Sequence, residues 1–222
     1  MRSDSAIQAV VFDMDGVLVD SEELWDEIRR GLATANGLAW PADATAIQQG
    51  MSTPEWSAYL SEVVEIPGSP SQIGVEVIGR MAAAYQVELP MIPHAVETVS
   101  GLASRWRLGL ASSSPRALID TVLQRSGMVE DFELSLSTEE VSAGKPSPVV
   151  YESVVARLGV DPARTVAIED SSNGLFSASA AGLIVIAVPH SAFPPAPDAL
   201  ALADVVVSAI SDVTAELIES LR

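Results

Sequence analysis

Two carboxylates one residue apart, at the end of an apolar run, are the first sign of chemistry in this sequence. Ala9-Val10-Val11-Phe12 is followed by Asp13 and Asp15, with Gly16 behind them. The run suits a fully buried parallel strand. Like charges this close resist joint ionisation, so the pair calls for a cation, a shared proton or both, and a divalent metal is the simplest answer. The plainer alternative is a solvated turn after an edge strand, because Asp and Gly favour turns for local reasons. A second acidic pair repeats the pattern: Thr165-Val166-Ala167-Ile168 ends in Glu169-Asp170, followed by Ser171-Ser172-Asn173-Gly174. Two such pairs on one sheet edge make oxygen ligation of a hard metal the leading reading. Leu108-Gly109-Leu110-Ala111 runs into Ser112-Ser113-Ser114, where a hydroxyl and backbone N–H groups at a helix start could hold a phosphoryl oxygen. Serines there can equally do no more than cap the helix. Gly144-Lys145-Pro146-Ser147-Pro148 holds one lysine in a short turn, in a chain with only 12 basic residues.

These residues need a frame that brings distant strand ends together. From Val96 onward, helices alternate with short apolar strands. Helices are expected at 96–105, 115–126, 148–158, 175–181 and 213–221, and strands at 108–111, 134–136, 165–168, 184–188 and 205–207. That alternation means βαβ units, hence an α/β, Rossmann-like parallel sheet with helices on both faces. In such sheets the site lies beyond the carboxyl ends of the strands, where strand order reverses, so the first strand is expected to be central. Between the first strand and this region the pattern is helical. Leu24, Ile28, Leu32 and Ala35 share a face and Asn36-Gly37 closes the helix. Thr53-Pro54-Glu55 opens another helix with Thr53 as its cap, carrying Trp56, Tyr59, Leu60 and Val63, and a further helix spans 72–85 after the breaker cluster Ile66 to Ser71. This all-helical stretch reads as an inserted cap subdomain, residues 20–89, on a core made of 1–19 and 90–222. Linkers at Asp20 to Glu22 and Leu89 to Pro93 lie where a hinge is expected.

Composition narrows the partners. With 222 residues the chain can fill one core and an insertion, and 48% hydrophobic content is ordinary for a globular protein. Thirty acidic against 12 basic residues give a net charge of -18, which repels nucleic acid and anionic lipid; neither is expected as a partner. A phosphate site on such a chain needs local cations. The absence of cysteine excludes disulfides and thiol chemistry and fits a reducing compartment. Asp4 and the shortness of the first apolar run argue against a signal peptide. The run from Ala178 to Val188 is broken by Ser179 and Gly182 and falls short of the roughly 18 residues that span a bilayer. A cytoplasmic monomer is expected.

The stretch Asp13-Met14-Asp15-Gly16-Val17-Leu18-Val19-Asp20-Ser21-Glu22 resembles the DxDGxLxDSE signature of the haloacid dehalogenase superfamily of phosphatases and mutases. Ser112, Lys145 in its GKPxP pattern, and Glu169-Asp170 with Gly174 are similar to that superfamily's remaining motifs, in its order and spacing. The helical insertion looks like the cap of the β-phosphoglucomutase-like subfamily. The resemblance implies a magnesium-dependent phosphoryl transfer in which Asp13 attacks the phosphorus and forms an aspartyl-phosphate. Mg²⁺ would be held by the Asp13 carboxylate, the Asp15 backbone carbonyl and Asp170, with Glu169 as a further ligand or just outside the first layer. Lys145 would cancel charge, Ser112 fix an oxygen, and Asp15 exchange a proton with the leaving alcohol and then with water. Gly16 lets the chain bend without an intruding side chain.

The acceptor in the second step separates a phosphatase, which uses water, from a mutase, which uses a sugar phosphate. Here the sequence departs from the mutase pattern. A cap histidine falls at Trp25, an arginine at Thr53 within Gly50-Met51-Ser52-Thr53, and a lysine near Met81 with Arg80 adjacent. Trp25, Ser52, Thr53 and Arg80 are therefore the candidate cap-side contacts, with Ser113 on the core side, and Arg80 is the expected cap cation. Hydrolysis of a small phosphorylated metabolite, a sugar or polyol phosphate, is favoured over a β-phosphoglucomutase-type mutase and over a non-catalytic binding module. The missing acid at the second position of the first motif in the dehalogenase branch sets that branch aside. His94 and His190 are expected as loop histidines, and Trp25, Trp40, Trp56 and Trp106 as packing residues, with Trp25 and Trp56 able to line the pocket.

Overall fold

The computed structural model describes residues 6–48 and 51–221; Asp4 and Gly50 lie outside that range. Strand β1 (Ala9–Phe12) is fully buried. Four helices follow, α1 (Glu22–Ala35), α2 (Ala44–Gln48), α3 (Thr53–Glu62) and α4 (Pro70–Val87). The chain then alternates as α5 (Ala95–Ala103), β2 (Arg107–Ser112), α6 (Arg116–Ser126), β3 (Leu134–Ser137), α7 (Val149–Leu158), β4 (Thr165–Glu169), α8 (Ser172–Ala180), β5 (Ile184–Ala187), α9 (Pro197–Leu200), β6 (Val205–Val206) and α10 (Ala215–Ser220). The six strands form one parallel sheet in the order β3-β2-β1-β4-β5-β6. The chain winds outward on one side of β1 and then on the other, so β1 is the reversal point and its carboxyl end opens the crevice.

Both faces of the sheet are covered, and β1 shows why its four residues are all apolar. Val10 and Phe12 pack into one hydrophobic cluster with Leu118 and Val122 of α6, while Ala9 and Val11 pack into another with Val154 of α7 and Ala178 of α8. Polar alternation would leave a buried face unpaired. The first cluster continues into the cap through Trp25, Trp56, Leu60, Val77 and Tyr85, so the helical insertion shares a core with the sheet. The chain leaves and re-enters on paired backbone: Val19 bridges Met91, Asp20 N–H donates to Pro90 at 2.8 Å, and Ile92 N–H donates to Leu18 at 2.9 Å.

Several local expectations shift. The buried stripe of α1 is Trp25, Arg29, Leu32 and Ala33, one position round from the predicted face, with Leu24 and Ile28 only partly buried. Ser52, not Thr53, caps α3: its backbone N–H and hydroxyl both donate to Glu55 Oε2, at 2.8 and 2.6 Å, while Thr53 starts the helix ahead of Pro54. α4 begins at Pro70, because Ser69 and Gln72 close a capping box there. α2 carries no periodic apolar pattern that could have announced it. The long apolar run at 178–188 is the end of α8, a turn and β5. No helix among the described residues is long and apolar enough to cross a membrane.

Candidate active site

Beyond the carboxyl ends of β1, β2 and β4 lies a cavity of about 250 Å³ between the sheet and the cap helices. Its floor comes from strand ends and the loops after them: Asp13, Asp15, Ser113, Ser114, Lys145 and Asp170. Register explains the convergence. Phe12 pairs with Leu110 and with Ile168, so Asp13, Ser112 and Glu169 leave the sheet at almost the same height.

Asp13, Glu169 and Asp170 are all buried, and each offers a carboxylate oxygen within 4.8 Å of the others. Lys145 Nζ is the buried counter-ion, 2.6 Å from Glu169 Oε1 and 3.0 Å from Asp13 Oδ1, and it also donates to the Ala111 carbonyl at 2.9 Å. The approach to Asp13 is an ion-pair contact off the hydrogen-bond direction, and Asp13 Oδ1 is left without a donor. Glu169 Oε1 accepts a further bond from the Tyr151 hydroxyl at 2.6 Å. One ammonium thus faces three buried carboxylates. Burial, the Glu169 charge and the Asp15 charge push Asp13 up to about 8 against the opposing pull of Lys145. Asp170 is raised well above its ordinary value by burial and by Asp13 and Glu169. Burial alone would lower the Lys145 ammonium, but Asp13 and Glu169 override it and hold the proton.

These features fit a divalent cation. The donors are hard carboxylate oxygens, one lacks any hydrogen-bond partner, and the backbone has been kept clear for them. A Cβ on Gly16, whose φ is +77°, would stand 1.9 Å from Asp170 Oδ2, and one on Gly174 would stand 1.8 Å from Glu169 Oε2. Any larger residue at either place displaces an acid. Asp15 differs from the other acids. Its carboxylate turns away from the cluster, with Oδ1 accepting from the Ser21 hydroxyl at 2.5 Å and Oδ2 from Ser114 at 2.6 Å. That diverts Ser21 from capping α1, which has no side-chain cap bond.

The sequence candidates divide sharply. Asp13, Asp15, Ser113, Lys145 and Asp170 line the cavity, Glu169 lies just beneath it, and Gly16 packs against Asp170. Ser112 is fully buried, accepts from Ser114 N–H at 3.0 Å and reaches Asp15 only at 3.5 Å; Ser113 and Ser114 line the cavity floor instead. On the cap side Trp25 lines the cavity, whereas Ser52 and Thr53 are not among its lining residues and serve the start of α3. The expectation for Arg80 is corrected. It is exposed, pairs with Glu76 at 2.7 Å one turn back on α4, and is not part of the cavity.

Trp56 lines the cap side with Trp25, as expected of both, and residues without a sequence signal join them: Arg29, Gln48 and Met51 on the cap side, with Phe193, Pro194 and Pro195 of a Pro-rich loop at the rim. Glu22 also lines the cavity, pushed up to about 7 by burial and by the Asp15 charge. Arg29 could have been suspected from its position four residues after Trp25, on the same face of α1.

Residues 7–182 match the family model for haloacid dehalogenase-like hydrolases. The chain belongs to that family. It is 33% identical over 227 residues to hexitol phosphatase B of Escherichia coli (strain K12), covering 97% of this chain and 98% of that protein. It is also 33% identical over 180 residues to a phosphorylated carbohydrates phosphatase of Thermotoga maritima, covering 80% and 82% of the two chains. The fold superposes on the crystal structure of β-phosphoglucomutase from Clostridium difficile with a TM-score of 0.81, at 21% identity and over 96% of each chain; that likeness speaks for the fold and its helical cap.

Proposed function

We propose that this haloacid dehalogenase-like hydrolase is a magnesium-dependent phosphatase acting on a small phosphorylated carbohydrate or polyol through a phosphoryl-Asp13 intermediate. One observation carries the reading: a buried, donor-free Asp13 oxygen sits in a three-carboxylate cluster beside Lys145, on the floor of a cavity sized for a small metabolite. The two curated relatives described above, named as phosphatases of hexitol and carbohydrate phosphates, support the substrate class. The chain's lack of cysteine suits a reducing, cytoplasmic setting.

Asp13, Glu169 and Asp170 would hold the ion, with the Asp15 backbone carbonyl as the further ligand. Bound there, Mg²⁺ supplies neutralisation of phosphoryl charge, without which a carboxylate cannot approach a dianionic ester. The chain's own groups do the rest. Lys145 adds a positive charge beside the attacking oxygen, and Ser113, at the cavity just ahead of α6, offers a donor for a non-bridging oxygen. Asp15, held by two hydroxyls, gives a proton to the leaving alcohol and takes one from the water that cleaves the phosphoryl-Asp13 bond. The cap wall, with Trp25, Arg29 and Trp56, shields the site from bulk water.

The test is magnesium-dependent release of p-nitrophenol from p-nitrophenyl phosphate, followed by a panel of sugar and polyol phosphates, with Asp13→Asn as the dead control. The reading expects free phosphate and no isomerised sugar phosphate. Interconversion of glucose 1-phosphate and glucose 6-phosphate without net phosphate release would instead make the protein a mutase.

A further inference from the structure

Hydrolysis at the floor leaves one costly feature of the cavity unexplained. Arg29 is only 8% exposed, and its guanidinium carbon lies 4.9 Å from the centroid of Trp25 and 5.1 Å from that of Trp56. Its Nε has no hydrogen-bond partner, and among the described residues no carboxylate pairs with it; Asp26, one turn closer to the helix start, is taken by Arg30 and Thr45. Glu22, Asp26 and Asp15 act on it only at longer range. A buried cation without a partner is expensive, and nothing in the packing of α1 requires one: leucine or methionine would fill the same stripe. Elsewhere on the same cavity lining, Gln48 is buried, donates through Nε2 to the Ala44 carbonyl at 3.1 Å, and leaves Oε1 without a partner. Both residues line the cavity, and among the described lining residues Arg29 and Lys145 are the two cations. Lys145 is already engaged by Glu169 and Asp13.

We propose that Arg29 and Gln48 form the pocket for the leaving group and select a hydroxylated chain whose far end carries a second anion, a carboxylate or a second phosphate, over a neutral polyol. The proposal rests on the phosphatase reading above and narrows its substrate class. Tryptophan rings beside the guanidinium fix its plane, leaving its edge for the two-pronged hydrogen bonding that carboxylates and phosphates accept. Gln48 Oε1 is then free to accept from a hydroxyl of the same chain.

The experiment compares kcat/KM, by phosphate release with Mg²⁺ present, for two matched pairs: glucose 6-phosphate against 6-phosphogluconate, and fructose 6-phosphate against fructose 1,6-bisphosphate. The first pair adds a carboxylate at the far end, the second a phosphate, so the two arms tell which anion is preferred. At least one charged member is expected to lead its neutral partner by about 10- to 100-fold, the usual span for a buried charge-assisted contact. Arg29→Gln should erase that lead, Arg29→Lys should keep part of it, and the exposed neighbour Arg30→Gln should keep it all. Neutral members hydrolysed as well as or better than charged ones by the wild-type chain would overturn the proposal without recourse to any variant. So would an equal loss on both members in Arg29→Gln. Hydrolysis of p-nitrophenyl phosphate with no turnover of any of the four would also overturn it while leaving the phosphatase reading intact. Inactivity on everything, p-nitrophenyl phosphate included, would remove both.

Discussion

The floor and the cap-side wall of the cavity are built on opposite plans. The floor is made of residues at strand ends, fixed by sheet register, and its charges are packed against one another: Asp13, Glu169, Asp170 and Lys145 lie within contact or near-contact distance. The wall is made of helix side chains, Trp25, Arg29, Gln48 and Trp56, and two of its polar atoms, Arg29 Nε and Gln48 Oε1, lack a hydrogen-bond partner within the protein. A floor whose three acids converge on one place for a cation suits one unchanging reaction, whereas a wall with unpartnered polar atoms suits recognition of a group supplied by the substrate. The lesson is that chemistry and selectivity reside in different elements, so they can be broken separately.

The largest separation comes from the nucleophile. Asp13→Asn should lower kcat by more than about 10³-fold, as loss of a covalent nucleophile does, while leaving the fold and the wall in place. Phosphate release under saturating substrate measures it. Next is Gly174→Ala. Its Cβ would collide with Glu169, so overpacking of roughly 1–3 kcal/mol is expected in urea unfolding, together with weaker magnesium activation. A destabilised protein that keeps wild-type metal activation would show that Glu169 has no part in holding the ion.

Glu22 tests the border between floor and wall. Its folded value near 7 lies above the ordinary carboxylate value of 4.5, so the folded state binds the extra proton between those limits. Stability therefore falls as pH rises through that window, and it falls because burial and Asp15 oppose the charge. In metal-free protein Glu22→Gln should stabilise by about 1 kcal/mol at pH 8, a figure reduced for the group's partial exposure, and by nothing measurable at pH 4. The difference between urea midpoints at the two pH values reads it. A constant difference would show that Glu22 titrates normally. The smallest effect is expected at Arg80→Gln, an exposed pair one helix turn apart: less than about 0.5 kcal/mol and no change in kcat/KM.

The same contrast governs what could be read from the sequence. β1 was legible to the residue, because a strand buried on both faces must be apolar throughout and must stop where carboxylates begin. The floor followed, since each of its acids and its lysine ends an apolar run or sits in a short Pro/Gly turn. The wall did not. Arg29 stands beside Arg30 in a strongly charged helix, and the one local sign separating them, its place four residues after Trp25, tells only once Trp25 is known to turn inward; packing of Trp25 against Trp56 decides that. Arg80 was favoured for its place near the end of the cap, but α4 presents Val77, Met81 and Tyr85 to the core and leaves Arg80 outside. The serine triplet was ambiguous for another reason. Strand alternation and the sharp turn after β2 bury Ser112 and bring Ser114 onto Asp15, a choice made by backbone geometry that three identical side chains cannot record.

The central claim is that Asp13, Glu169 and Asp170 share one divalent ion on which turnover depends. Titrating chelator-stripped protein with Mg²⁺, while following p-nitrophenyl phosphate hydrolysis, tests it most directly. The account predicts no turnover before metal, single-site saturable activation, and at least a tenfold higher half-activation concentration in Asp170→Asn. Full turnover in the stripped protein, or activation unchanged by Asp170→Asn, would contradict it.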